Sequence, residues 1–391
     1  MTYAVTSWFI AQAQTQHPPI KRVFTIGGSD YSRYVKRWPS VSVKWDDLRS
    51  ISATISLEND EQTFNFFRTD KVNMRKATAL KLGFTHPTSG DELINVHLGT
   101  VDKATYNGGD CTISMTDKFR LFAQRVVGKS DAPAVFSIAS QLPSDIAWTL
   151  VTCYGGMDAT QSSANTDLDW QTFQSWAATF SNDSVYVQAR FEGQKVAECL
   201  RKISRYTRSA ITQQNDKLAF YRFTLASTAV TALSNDQLLG LSVSVDDTDM
   251  TNRQWVYGDY RAESGYWAIN VFDQSTASIN SFAVRESVEK DESIWYVNSA
   301  NALNLAQRVI STAGLPYDRV NIQVPLMPLH HVIGETIAID EPQTGIAQSW
   351  RIMKHKLDME SGRMDLEVDA SQLVGGFYLD VSTLDGPDLL L

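Results

Sequence analysis

The side chains able to do chemistry are few and scattered. His330 and His331 are adjacent, so in a strand they point to opposite faces and cannot share a metal. With Pro328 before them and Gly334 after, they read as a loop leading into a strand. His17, His86, His97 and His355 form no His-x-x-x-His or Glu-flanked pair. Cys111, Cys153 and Cys199 are odd in number and widely spaced, which reads as buried reduced thiols of a chain made in a cytoplasm. Asp167 and Asp169 beside Trp170 have the types a glycosidase needs, two acids near an aromatic sugar platform. Alternate acids at a helix start are, however, the pattern of capping groups favoured by the helix dipole. Gly27-Gly28-Ser29 lacks the Lys-Ser/Thr of a phosphate loop, and Gly155-Gly156 lacks the third glycine of a dinucleotide fingerprint. No catalytic, cofactor-binding or metal-ligating residue is assigned, and the chain reads as a non-enzyme without cofactors.

Aromatic residues offer a different chemistry. Trp255, Tyr257, Tyr260, Tyr266 and Trp267 crowd one region of a chain that holds 10 Trp and 14 Tyr. Exposed rings stack on sugars, as in a carbohydrate-binding adhesion module. Cross-strand pairs inside a sheet, or anchors at an oligomer interface, account for the same density.

The 391 residues suffice for two or three domains with a sizeable core. Apolar residues make up 43% and charged residues 20%, with no charge blocks or Pro/Ser tracts, which excludes a largely disordered chain. The net charge of −9 repels nucleic acid and anionic lipid, and no basic patch reverses this locally. No apolar run reaches about 18 residues, and no basic region followed by an apolar run opens the chain, so neither a membrane anchor nor a secretory signal is expected.

The elements follow from period. Strands are expected at Arg22 to Ile26, Val41 to Trp45, Ser50 to Leu57, Ala79 to Phe84, Ile94 to Thr105 and Cys111 to Met115. Ala53, Ile55 and Leu57 alternate with Ser52, Thr54 and Ser56, the mark of a half-buried strand. Asn107, Gly108 and Gly109 predict a hairpin turn. From Asp117 the period turns helical through Phe119, Phe122, Ala123 and Val126 to Gly128, a helix expected to plug one end of a barrel. Further helices are predicted from Asp169 (Phe173, Trp176, Ala177, Phe180 on one face) and over Glu192 to Tyr206 (Val196, Cys199, Leu200, Ile203), with a strand at Ser184 to Ala189 between them. A hairpin over Ala210 to Phe223 turns on Asn215 and Asp216, and strand-like runs resume from Leu241 to Ile279. Asn298 caps a helix with Leu303, Ala306, Ile310 and Ala313 along one side, stopped by Gly314 and Pro316. Strands close the pattern at Val320 to Val324, Thr336 to Ile339, Ser349 to Leu357 and Arg363 to Val368.

Val101 to Asp117 and Ile352 to Asp369 share a plan of strand, Gly-bearing turn, strand, Asp, which suggests a duplicated β-domain by pattern rather than identity. The predicted fold is therefore α+β, mainly β: two small antiparallel β-barrel or sandwich domains with a mixed helical domain between. The expected limits are 1–128 for the first barrel, 129–235 for the mixed insertion, 236–375 for the second barrel with its helix at about 298–313, and 376–391 for a tail.

Several phrases then stand together in order: Phe24-Thr25-Ile26-Gly27-Gly28-Ser29-Asp30-Tyr31-Ser32, Ile55-Ser56-Leu57-Glu58-Asn59, Leu98-Gly99-Thr100-Val101 and Ser114-Met115-Thr116-Asp117-Lys118. Near the end come Ala302 to Thr312 with Leu315-Pro316-Tyr317, Gly334-Glu335-Thr336-Ile337-Ala338-Ile339 and Ser349-Trp350-Arg351-Ile352. Across nearly the whole chain this resembles the tail hub (baseplate hub) proteins of tailed bacteriophages, the family that includes the hub of contractile baseplates and related injection machines. The resemblance implies a structural homotrimer at the virion tail tip, assembled in the host cytoplasm. Its six barrels would match a sixfold tail tube or distal tail protein above, with a central spike or fibre below. DNA would pass through the lumen without specific binding. An acidic inner wall would keep DNA from sticking, and Asp46-Asp47, Glu58 to Glu61 and Asp246 to Asp249 are the candidate acids, although such turns are equally solvated loops. A hexameric distal tail protein and a glycan-binding tail adhesion protein are the alternatives.

Overall fold

Alternating burial along the strands builds two curled half-barrel sheets, and the fold is α+β and mainly β, as its sequence predicts. The computed structural model describes residues 5–13, 15, 19–44, 52–117, 119–127, 136–214, 217–222, 231–248, 250–326, 333–342 and 346–369. His17, Asp46, Asp47, Lys118, Gly128, Asn215, Asp216, Asp249, His330, His331 and the tail 376–391 lie outside the described residues.

The first sheet runs in space through Ser29–Asp30, Ile20–Ile26, Ala77–His86, Gly90–Asn107, Asp110–Thr116, Ser52–Glu58 and Val35–Arg37. The second runs through Thr231–Ser234, Thr336–Glu341, Ile346–Asp358, Arg363–Asp369, Tyr317–Pro325 and Gly240–Asp246. From Ile20–Ile26 onward the first sheet and the whole second sheet follow one plan in chain order. The register repeats too. Ser52–Glu58 pairs with Asp110–Thr116 from Ser52↔Thr116 to Glu58↔Asp110, and Arg319 to Pro325 pairs with Arg363–Asp369 in the same phase. Each central hairpin carries a β-bulge, at Asp102 and at Met353, the same number of pairs from its turn. Beside each bulge the chain repeats even a loop contact, since the Val101 amide donates to the Lys76 carbonyl and the Ile352 amide to that of Glu335. The first hairpin turns tightly on Gly108, whose φ of +61° glycine adopts without strain. One difference stands out: Ile20–Ile26 joins its neighbour antiparallel, whereas Thr231–Ser234 joins Thr336–Glu341 in parallel.

The two half-barrels share one continuous apolar core, in which Phe24, Ile55, Leu82 and Ile113 of the first meet Trp350, Ile337, Leu357 and Leu366 of the second. A second core holds the helices. Trp170–Asn182, capped by Asp169, packs Phe173 and Trp176 on Phe220 of the hairpin Ser209–Gln214 and Lys217–Arg222, while Val196–Thr207 buries Leu200 and Ile203 and contacts Ser209–Gln214 and Ile294–Tyr296. The Trp176 indole N–H donates to the Ser209 hydroxyl at 2.8 Å, which satisfies a polar atom that burial would otherwise leave costly.

Three expectations change. The helix Phe119–Gln124 packs Phe119 and Phe122 into the helical core, beside Val196–Thr207, and plugs no barrel. The run to Ile279 ends as the helix Thr276–Phe282, capped by Ser275, because Ser at that position offers its hydroxyl to the Ser278 amide. Helix Ser299–Ala313 turns Ala302, Leu305 and Ala306 inward and leaves Leu303 and Ile310 half-exposed, since strands Arg253–Arg261 and Tyr266–Gln274 cover that flank. With those strands and Ile294–Tyr296 this helix belongs to the helical core.

Candidate assembly surfaces

The half-barrels are joined by a seam of named groups. After Arg37 the chain leaves the first sheet at Trp38-Pro39, and Ser40–Lys44 crosses to pair antiparallel with Lys354–Asp358 of the second. Val41 is almost fully buried there. The Met359 amide donates to the Pro39 carbonyl at 3.1 Å, the Trp38 amide to the Glu360 carboxylate at 2.8 Å, and Arg22 donates to the carbonyls of Met359 and Glu360. Gly362, with φ of +67°, lets Ile20 approach so closely that a Cβ would sit 2.3 Å from its Cδ1. Backbone pairing, apolar burial and a guanidinium clamp together make this seam rigid.

The residues singled out for chemistry do not converge. Asp169 accepts the Thr172 amide as a helix cap, and Asp167 accepts the Asp158 amide at 2.8 Å, so both acids organise backbone. Trp170 is half-buried and stacks on Phe173 with ring centroids 5.6 Å apart, so one of its faces is taken up by packing. His97 is buried and His86 accepts backbone amides of Thr88 and Ser89, while His355 pairs with Val43 across the seam. Among the described residues no three His, Cys, Asp or Glu side chains gather as metal ligands. Cys111 and Cys199 are buried, with burial pushing their thiols up to about 11 and about 12. Cys153 is exposed, contrary to expectation, because the π-helical segment Leu150–Tyr154 after helix Pro143–Thr149 turns Leu150 and Val151 inward instead. Among the described residues no helix is long and apolar enough to cross a membrane.

The aromatic group divides in two. Tyr260 and Trp267 stack at 4.6 Å and close edge-on over Trp295, while Lys290 lies over the rings of Tyr257 and Trp267. These rings are occupied by each other. Towards the other end of the same small sheet, Val288, Trp255 and Phe272 form one cross-strand row, with Trp255 and Phe272 centroids 4.5 Å apart. Phe272 and Val288 are exposed, and so is Tyr266 at the strand end. Glu58, Asp60 and Glu61 are exposed beside the first hairpin, and Asp247 pairs with Arg285 at 2.7 Å.

A last surface gave no signal by composition. Val243 and Val245 on the outermost strand of the second sheet lie on the face of Leu241, which packs on the core, yet they are 37% and 70% exposed. The apolar row outruns the core that it faces.

No protein-family model matches the chain, and no curated protein matches it. Among solved structures it is similar to the tail protein from Neisseria meningitidis MC58, with 11% identity and a TM-score of 0.58 over 90% of this chain and 96% of that one. It is similar also to the 43 kDa tail protein of prophage MuSo2 from Shewanella oneidensis, with 13% identity and a TM-score of 0.55 over 91% and 100% of the two chains. Prophage tail protein gp18 from Listeria monocytogenes EGD-e matches with 8% identity and a TM-score of 0.53, over 89% and 94%. The chain has the fold of phage tail proteins.

Proposed function

We propose that this chain is a non-enzymatic structural hub of a bacteriophage tail, which joins the tail tube to the spike or fibre at the tip and leaves a channel for DNA. The observation that carries the reading is the repeat of one half-barrel plan, in one register, twice within a chain that has the fold of tail proteins. Two equivalent units per chain let three copies present six to a sixfold tube and three to a threefold tip. We assign the β-body to residues 20–116 together with 231–246 and 317–369, and the projecting mixed unit to 119–222 with 250–313. Exposed Glu58, Asp60 and Glu61 are the described candidates for an acidic channel wall, which would repel the DNA backbone.

Light scattering of the purified full chain, with imaging of the particles, tests this. A species of about 131 kDa, three copies of the 43.7 kDa chain, with six lobes around a hole supports the hub. A six-copy ring moves the protein to the distal tail class. A monomer that binds host polysaccharide through Tyr266 or Phe272 overturns the reading in favour of adhesion.

A further inference from the structure

One phrase occurs twice: Ser40-Val41-Ser42-Val43, followed by Lys44, and Ser242-Val243-Ser244-Val245, followed by Asp246. The two stand at corresponding places to within one residue, because Arg37 lies opposite Ser56 and Gly240 opposite Gln323, equivalent positions of the two sheets, and the phrases begin three and two residues further on. The first phrase crosses to the second sheet and forms the internal seam. The second stays as the outermost strand of its own sheet, paired on one side with Tyr317–Pro325, and among the described residues nothing pairs with its other side.

The receiving edge is also duplicated. Lys103–Asn107 occupies in the first sheet the place that Lys354–Asp358 occupies in the second, each running from bulge to turn. Among the described residues no strand pairs with its outer side. Asn107 and Asp110 flank a two-residue turn as a hydrogen-bonded pair, so the amides and carbonyls of Ala104 and Tyr106 point to that open side. One chain therefore holds one completed seam and the two unmatched halves of a second.

We propose that Ser242–Asp246 of one copy pairs antiparallel with Lys103–Asn107 of another, repeating between copies the seam that joins the half-barrels within one. Transferring the internal register sets Val243 opposite Tyr106, Val245 opposite Ala104 and Asp246 opposite Lys103. Apolar side chains then meet on the core-facing side, which covers the two exposed valines. The contact is head-to-tail, and a closed ring leaves no edge of either kind exposed. It rests on the ring-forming part of the hub reading and names the surfaces that build the ring.

The test uses the full chain, light scattering over a range of concentrations and amide hydrogen exchange. Wild type is expected to form a multimer in which the Ala104 and Tyr106 amides exchange at least about tenfold more slowly than in the Val245→Asp variant. That variant is expected to run at 43.7 kDa with an unchanged melting temperature. Val288→Asp, at an exposed valine of the outlying sheet, keeps the multimer. A multimer that survives Val245→Asp, unprotected Ala104 and Tyr106 amides within a multimer, or a wild type that stays monomeric at every concentration overturns the proposal. The hub reading fails on a different result, absence of the chain from purified virion tails.

Discussion

His97 makes the first half-barrel sensitive to acid. It lies in strand Gly90–Asn107 opposite Leu80, is 3% exposed, and its Nε2 has no hydrogen-bond partner among the described residues. Burial pushes its imidazole down from 6.5 to about 4, because the charged form would lose its hydration without gaining a partner. Between those two values the unfolded chain binds a proton that the native chain refuses. Stability therefore falls as pH drops through about 6.5 and stops falling on this account near about 4. At about 1.4 kcal/mol per pH unit, the full span removes about 3 kcal/mol, a large part of an ordinary domain's stability. Urea unfolding of wild type and His97→Leu at about pH 7 and about pH 4.5 measures it, since leucine keeps the volume and cannot titrate. Wild type is expected to lose about 2 kcal/mol more than the variant between the two conditions. An equal loss in both would show that His97 accepts its proton in the folded state and would refute the argument.

Other perturbations follow from packing and capping. A methyl group on Gly99 would sit 2.3 Å from the Thr116 carbonyl oxygen of the neighbouring strand, so Gly99→Ala is expected to cost about 1–3 kcal/mol in denaturant unfolding. Asn298 accepts the Asn301 amide at 2.8 Å, and Asn298→Ala should lower stability by about 1 kcal/mol in the same assay. Arg205 lies 2.8 Å from Glu289, whose carboxyl burial already pushes up. Arg205→Ala should raise the titration point of Glu289 further, as read by NMR of that carboxyl.

Much of the architecture was legible because it is local. Alternation located every long strand of both sheets to within a few residues, and Asp169 and Asn298 announced their helices by side-chain chemistry that acts within one turn. The inward face of Ser299–Ala313 was not legible. Leu303 and Leu305 are both apolar and two residues apart, and only the strands packed beside them decide which is buried. The strands of residues 253–274 pose the same question, since a strand's period says that one face is covered and not by what. Of the two acids near Trp170, Asp169 caps the helix, as its position foretold, whereas Asp167 accepts the Asp158 amide in the loop before it, a contact that no local spacing announces.

The exchange of a strand between the sheets shows where local information ends. Ser-Val-Ser-Val has the same alternation in both its copies, yet one copy crosses to the other sheet and one remains. The difference lies just before the phrase. Pro39 has no amide to donate and cannot extend the pairing of Val35–Arg37 with Ser52–Glu58, so the chain turns away and offers its next residues to Lys354–Asp358. At the matching place Leu241-Ser242 keeps its amides, and the strand continues along Tyr317–Pro325 to Asp246. One proline thus closes the internal seam, and its absence from the second copy leaves Val243 and Val245 at an open edge. Where an internal repeat uses one copy of a contact inside the chain, the unused copy is the natural place to look for the contact between chains.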